Sequence, residues 1–313
     1  MPIPLDDAYR LLVRLGRCPV AHIGSGMEGH VFDVGSDSVA KVWFSKTPDE
    51  IVPLQSFYEI VHGLHLPFDT PLITEVHDSP DGTVSIERAL QGTPLNDVVF
   101  RDANVPPPFA TNALMSVLTA LRDHPVQDTW CALPILGVRH PEAATLNGST
   151  SALLDVVSRN VDRYGDQLRR SVPDFDWVYA QTVQQVRQFS DAKLHAVHGD
   201  LCPPNILLGP DLNVTAVLDW GFLSHFGDTS LDASIACGSY NLYGEHSRVN
   251  DAYLVAECVD RHGYDHHRLL VYRALYAVLT SNAYSEDGTD GHYAWCVDNL
   301  NRDDIQAALS DAL

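Results

Sequence analysis

Basic residues are scarce in this chain. Its 313 residues hold 20 Lys and Arg against 41 Asp and Glu, a formal net charge of −21. Sequence-independent nucleic-acid binding needs cations that neutralise phosphates, so that class of function is disfavoured. The six cysteines, at 18, 131, 202, 237, 258 and 296, include no Cys-x-x-Cys pair. Neither a zinc site nor a disulfide framework is suggested, and a reduced, cytoplasmic setting is the simplest expectation. No apolar run approaches the ~18 residues of a membrane span. The amino-terminal stretch is acidic rather than basic-then-apolar, so no signal peptide is expected. Repeats and low-complexity tracts are also missing. What is present is an ordinary apolar content, 45%, and enough chain for one large domain or two lobes around a shared cleft.

The most informative stretch runs from His198-Gly199-Asp200-Leu201 through Asn205 and the apolar Ile206–Leu208 to Val217-Leu218-Asp219-Trp220. The spacing of Asp200, Asn205 and Asp219 suits phosphoryl transfer. One carboxylate can take a proton from an incoming hydroxyl, while an asparagine and a second carboxylate offer the hard oxygen donors magnesium prefers. The turn chemistry of Gly209-Pro210-Asp211-Leu212-Asn213 predicts a hairpin between two short apolar strands.

Upstream lies Ile23-Gly24-Ser25-Gly26-Met27-Glu28-Gly29-His30-Val31-Phe32. A dinucleotide fold would open a helix at the last glycine. Here β-rich residues follow, then the turn Gly35-Ser36-Asp37-Ser38, then Val39-Ala40-Lys41-Val42. Glycine loop, strand, turn and a strand carrying a lysine is the kinase order. Gly24, Gly26 and Gly29 let backbone approach phosphates, Ser25 can donate to a phosphate oxygen, and Lys41 can pair with phosphate and a helical glutamate. A helix is predicted over 49–64. Glu59, well inside it, is the expected partner of Lys41, with Glu50 as the alternative. Strands are predicted at 71–76 and 83–86. Helices are predicted at 5–15, 109–121, 151–162, 177–189, 250–261 and 266–284. The loop at 133–148 is a candidate substrate-facing segment or an ordinary connection.

The His-Gly-Asp-Leu, Asn and Asp-Trp set, with Gly227-Asp228 and Asp232 after it, resembles the aminoglycoside phosphotransferase family of small-molecule kinases. The resemblance spans Gly24 to Asp232. It implies an α+β, bilobed protein-kinase-like fold: an N-terminal lobe, 1–90, with an antiparallel sheet and helix, and a mostly helical C-terminal lobe, 91–313. The hinge would lie at 87–92, where the Glu87 carbonyl and Ala89 amide would meet adenine. It implies ATP or GTP with Mg²⁺, Asp200 as the catalytic residue, His198 shaping its loop, and Asn205 and Asp219 on the metal. Asp232 would brace the loop from below. The acceptor implied is a hydroxyl of a small molecule, foremost an antibiotic such as an aminoglycoside or a related cationic compound, in keeping with the acidity. A kinase of choline, homoserine or a sugar, a macrolide kinase, and an inactive nucleotide-binding regulator are the alternatives. The motifs do not separate these acceptors, nor do they give the oligomeric state.

Overall fold

The structure, a computed structural model, describes residues 3–99, 104–126, 133–136, 138, 146–189 and 193–311. The chain forms two compact units. The first takes Met1–Gly92 and Thr215–Asp219; the second takes Thr93–Val214 and Trp220–Leu313. A single cut after residue 90 was the simplest expectation. The later excursion joins the first unit through its backbone. Asp69 N donates to Thr215 O (2.8 Å) and Val217 N to Asp69 O (3.0 Å).

The first unit contains α1 (Leu5–Arg14), β1 (Ala21–Ser25), β2 (Gly29–Gly35), β3 (Ser38–Trp43), α2 (Pro48–Gly63), β4 (Ile73–His77) and β5 (Val84–Arg88). The five strands form an antiparallel sheet in the order β1-β2-β3-β5-β4. Strand alternation sorts its faces. Phe32, Ala40, Val42, Val84 and Ile86 pack with Ala8, Leu11 and Leu12 of α1. Lys41, Trp43, Ser85 and Glu87 therefore share the opposite face, where Trp43 Nε1 donates to Ser85 Oγ at 2.9 Å.

In the second unit come β6 (Thr93–Pro94), α3 (Leu95–Val98), α4 (Pro108–Asp123), β7 (Pro125–Val126), α5 (Leu146–Ser171), α6 (Phe175–Gln188) and β8 (Leu194–Val197). A 3₁₀ turn at Pro203–Asn205, β9 (Ile206–Leu208) and β10 (Val214–Val217) follow, β10 carrying the chain into the first unit. The rest is β11 (His225–Gly227), α7 (Ser230–Ser239), α8 (Ser247–His262), α9 (His266–Thr280), α10 (Gly291–Leu300) and α11 (Asp303–Ser310). Strands β7 and β11 flank β8, and β6 pairs with β9, all antiparallel. Helix α9 is the centre of the core, with every residue from Leu269 to Thr280 buried. The class is the expected α+β, an antiparallel sheet with helices first and a mostly helical unit second. Much of the 133–148 loop (137 and 139–145) lies outside the described residues.

Candidate active site

The glycine segment is a hairpin. Strand β1 ends at Ser25, β2 starts at Gly29, and Gly26 N donates to Gly29 O at 3.0 Å. No helix opens there, which removes the dinucleotide alternative. A Cβ on Gly29 would stand 2.4 Å from the Val42 carbonyl oxygen, so glycine at 29 is required by β3. Gly24 and Gly26 have open space where a side chain would be.

Strand register decides what the hairpin's side chains can do. Ser25 pairs with His30, and His30 with Val42, on the α1 side of the sheet. Its hydroxyl is 2.6 Å from His30 Nδ1 and 3.1 Å from His22 Nε2. The expected Ser25–phosphate bond is therefore corrected: the side chain faces away from Lys41. Glu28, at the tip, is the residue that reaches Lys41. Its carboxylate lies 3.2 Å from Lys41 Nζ and 2.7 Å from Lys46 Nζ. Although burial opposes it, the two ammonium groups hold Glu28 below the usual carboxylate range. Lys41 Nζ also sits 3.8 Å above the Trp43 ring, a cation–π contact.

Glu59 does not pair with Lys41. It is exposed on α2, because the helix turns Phe57 and Tyr58 inward instead. Glu50, the alternative, caps α2 by accepting from Thr47 N at 2.9 Å. The acidic group in reach of Lys41 from within the sheet is Glu87. Its side chain accepts from Ser85 Oγ at 2.7 Å. Burial pushes the Glu87 carboxyl up, Lys41 pulls it down, and Asp219 and Glu28 push it up again. The Tyr58 phenol is raised far more, by burial first and then by the charges of Glu87, Asp219 and Glu28. Lys41, Glu87 and Asp219 thus come together in the first unit, with Glu28 and Tyr58 among them.

The expected adenine contacts also need correction. Glu87 is paired with Val39 on one side and Ile73 on the other, inside the sheet. The Ala89 amide donates to Asp37 O at 2.8 Å. Strand β5 runs two residues further than predicted, so neither backbone group is a hinge group. Glu87 contributes its side chain.

Asp219 has φ +59°, a left-handed backbone that aspartate tolerates and that clusters at functional sites.

In the second unit the loop after β8 is tied down at each residue. The His198 amide donates to Asp232 Oδ2 at 2.6 Å and the Gly199 amide to Asp232 Oδ1 at 2.8 Å. Asp232 is fully buried. Burial raises its carboxyl to about 7, although the two amides pull the other way. Gly199 has φ +81°, and a Cβ there would fall 2.5 Å from Leu223 backbone. The Asp200 amide donates to His198 Nδ1 at 3.1 Å, and Asn205 Nδ2 donates to the Asp200 carbonyl at 2.9 Å. The buried imidazole of His198 lies 4.7 Å from the Trp220 ring, and Ser224 Oγ donates to His198 O at 2.6 Å. With Nδ1 spent as an acceptor, His198 orients Asp200 and is not placed as a base. Since Asn205 spends its nitrogen on Asp200, its amide oxygen is the group left for a cation. An amide oxygen is a hard donor of the kind magnesium prefers.

Asp200 also lines a cavity of about 570 Å³ whose described walls belong to the second unit alone.

The phosphotransferase enzyme family model matches residues 23–270, and the chain belongs to that family. It is a phosphotransferase. No curated protein sequence matches it significantly. Among solved structures, the streptomycin–ATP complex of APH(2″)-IIa is 13% identical, with 96% of each chain covered and a TM-score of 0.57. The GDP and kanamycin complex of APH(2″)-IIIa is 15% identical, covering 99% of this chain and 100% of that one, at 0.58. APH(3″)-Id from Streptomyces rimosus, bound to ADP and streptomycin, is 19% identical, covering 94% and 98%, at 0.54. The protein-kinase-like fold of the aminoglycoside kinases is therefore shared.

Proposed function

We propose that the chain transfers the γ-phosphoryl group of ATP or GTP, with Mg²⁺, to a hydroxyl of a small molecule. The observation that carries this reading is Asp200, fixed by His198 and Asn205 and lining a ligand-sized cavity. A binding-only regulator has no use for an aspartate so held. The nucleotides in the similar structures, ATP, GDP and ADP, support the choice of phosphoryl donor.

Lys41 meets the triphosphate, with the backbone at Gly24, Gly26 and Gly29 close to it. Asp219 and Asn205 are the residues whose oxygens would hold magnesium, and a bound ion would neutralise charge on the phosphates. Asp200 accepts the proton of the acceptor hydroxyl as that oxygen bonds to the γ-phosphorus. The bond from phosphorus to the bridging oxygen breaks, and the nucleoside diphosphate leaves. Such a transition state is loose, so positioning and charge neutralisation carry most of the rate.

The test is nucleoside-diphosphate release by the purified chain over a panel of hydroxyl compounds, with phosphorus NMR of the product. A new phosphate ester supports the reading. Tight Mg-ATP binding without an ester from any acceptor favours the inactive regulator. Streptomycin, kanamycin and gentamicin in the similar structures make amino sugars, and with them a role in antibiotic resistance in the cytoplasm, the first reading to test.

A further inference from the structure

Aromatic rings form one wall of the cavity that holds Asp200. His292 stands edge-on to Tyr284 (4.9 Å) and to Tyr276 (6.2 Å), and Tyr284 stacks on Phe222 at 6.3 Å. Tyr240 and Tyr243 complete the aromatic wall. Tyr243 and Tyr284 are 65% and 47% exposed, a heavy concentration of solvent-facing aromatic surface at one cavity. Burial holds the His292 imidazole below its usual range, which favours the uncharged ring.

The acidity of the chain is spent elsewhere. Asp200 and Glu245 are the carboxylates among the described lining residues, and no described Lys or Arg lines the cavity. Asp290 is not among the lining residues; one of its oxygens caps α10 by accepting from Tyr293 N at 2.7 Å, and the other is buried with no partner among the described residues. Asp298 pairs with Arg248, and Asp304 with Arg302. With Asp200 committed to the reacting hydroxyl, Glu245 is left to meet one cationic centre. A ring can take one ammonium by cation–π contact, but a polycation would find only these two carboxylates among the described lining residues to pair with its several charges. The neutral polar groups of the wall have capacity to spare. The Tyr240 hydroxyl and the Asn241 amide nitrogen are buried without a hydrogen-bond partner among the described residues. Size narrows the ligand further. About 570 Å³ lies within the roughly 300–1,000 Å³ of drug-sized sites and would leave choline or homoserine mostly surrounded by water.

We infer that the acceptor is a drug-sized hydroxyl compound with an apolar or flat-ringed body and at most one positive charge, seated against Tyr276, His292 and Tyr284. Polycationic amino sugars are poor ligands of this pocket. The inference rests on the phosphotransferase reading for the word acceptor and on the pocket for its chemistry.

The test reads binding and turnover separately on the full chain with Mg-ATP. Calorimetry compares erythromycin (one amine on an apolar ring) and chloramphenicol (neutral, with an aromatic ring and hydroxyls) with kanamycin, streptomycin and choline. At least one of the first two binds about tenfold or more tighter than every one of the last three. Tyr284→Ala weakens that compound about tenfold and leaves kanamycin unchanged, with the circular dichroism spectrum retained. Kanamycin, streptomycin or choline binding as tightly as the apolar probes overturns the inference, as does failure of both apolar probes to bind. Binding of an apolar probe without ester formation from any compound leaves the pocket assignment standing and sinks the phosphotransferase reading. An ester on kanamycin, with the apolar probes unbound, does the reverse.

Discussion

At the scale of single residues, charge around Lys41 departs from what the motif suggests. The glycine-loop residue Glu28 pairs with the ammonium proposed to meet a nucleotide phosphate and would compete with that phosphate for it. The pair is 44% exposed on the Glu28 side, and such pairs are worth about 0.2–1 kcal/mol. Glu28→Gln should therefore tighten nucleotide binding by up to about fivefold, read by calorimetry; weaker binding would show instead that Glu28 helps hold the nucleotide. Glu59→Ala should leave kcat and the nucleotide Kd within about twofold, as exposed substitutions away from special features do. A large loss in the steady-state rate would restore Glu59 to the lysine. Lys41, Asp200, Asn205 and Asp219 stand out as candidates because their spacing suits the proposed chemistry. Ser25, Glu59 and Ala89 were misread because their roles depend on strand register and helix phase, and a one-residue error in either turns a side chain to the other face. Glu28 sits at a variable position of the glycine motif and carries no pattern of its own.

At the scale of elements, most helices and strands follow from periodicity and turn residues. Helix α5 runs from Leu146 to Ser171, well past the predicted 151–162. Gly165 and the polar residues around it look like an end, but Leu168 and Val172 are buried and carry the helix on. The excursion of Thr215–Asp219 into the first unit was not legible at all, since its partner Asp69 is remote in sequence. Helices α8 and α9 are joined by a buried ion pair, Arg273 Nη2 to Asp251 Oδ1 at 3.0 Å, with side chains 3% and 5% exposed. Asp251→Ala takes the buried carboxylate from Arg273, which keeps Ser234 O and Asn299 Oδ1 as acceptors, and also from Arg302. Urea unfolding should show a loss of about 3–5 kcal/mol, and a loss below about 1 kcal/mol would mean water reaches Arg273.

For the whole molecule, stability responds to pH through Asp232, which accepts from the His198 and Gly199 amides. Burial raises its carboxyl from the ordinary 3.8 to about 7. An acid raised on folding favours the folded state most when protonated. Its contribution is thus present below about pH 4 and lost as pH rises to about 7, by up to about 4 kcal/mol. The stability of the wild type relative to Asp232→Asn should fall across that window and stay flat above it. A flat difference from pH 4 to 8, measured by denaturant unfolding, would mean the carboxyl titrates in its ordinary range. The net charge of −21 invited a cationic substrate, yet its carboxylates are mostly away from the cavity, a distribution that composition does not contain.

The central claim is tested most directly by Asp200→Asn. It keeps the side-chain shape and the backbone bonds to His198 and Asn205 but removes the base. With the acceptor found in the screen, single-turnover transfer should slow by about 10²–10⁴, while the Mg-ATP dissociation constant stays within about twofold. Transfer at the wild-type rate in that variant would contradict the role given to Asp200 and the site built around it.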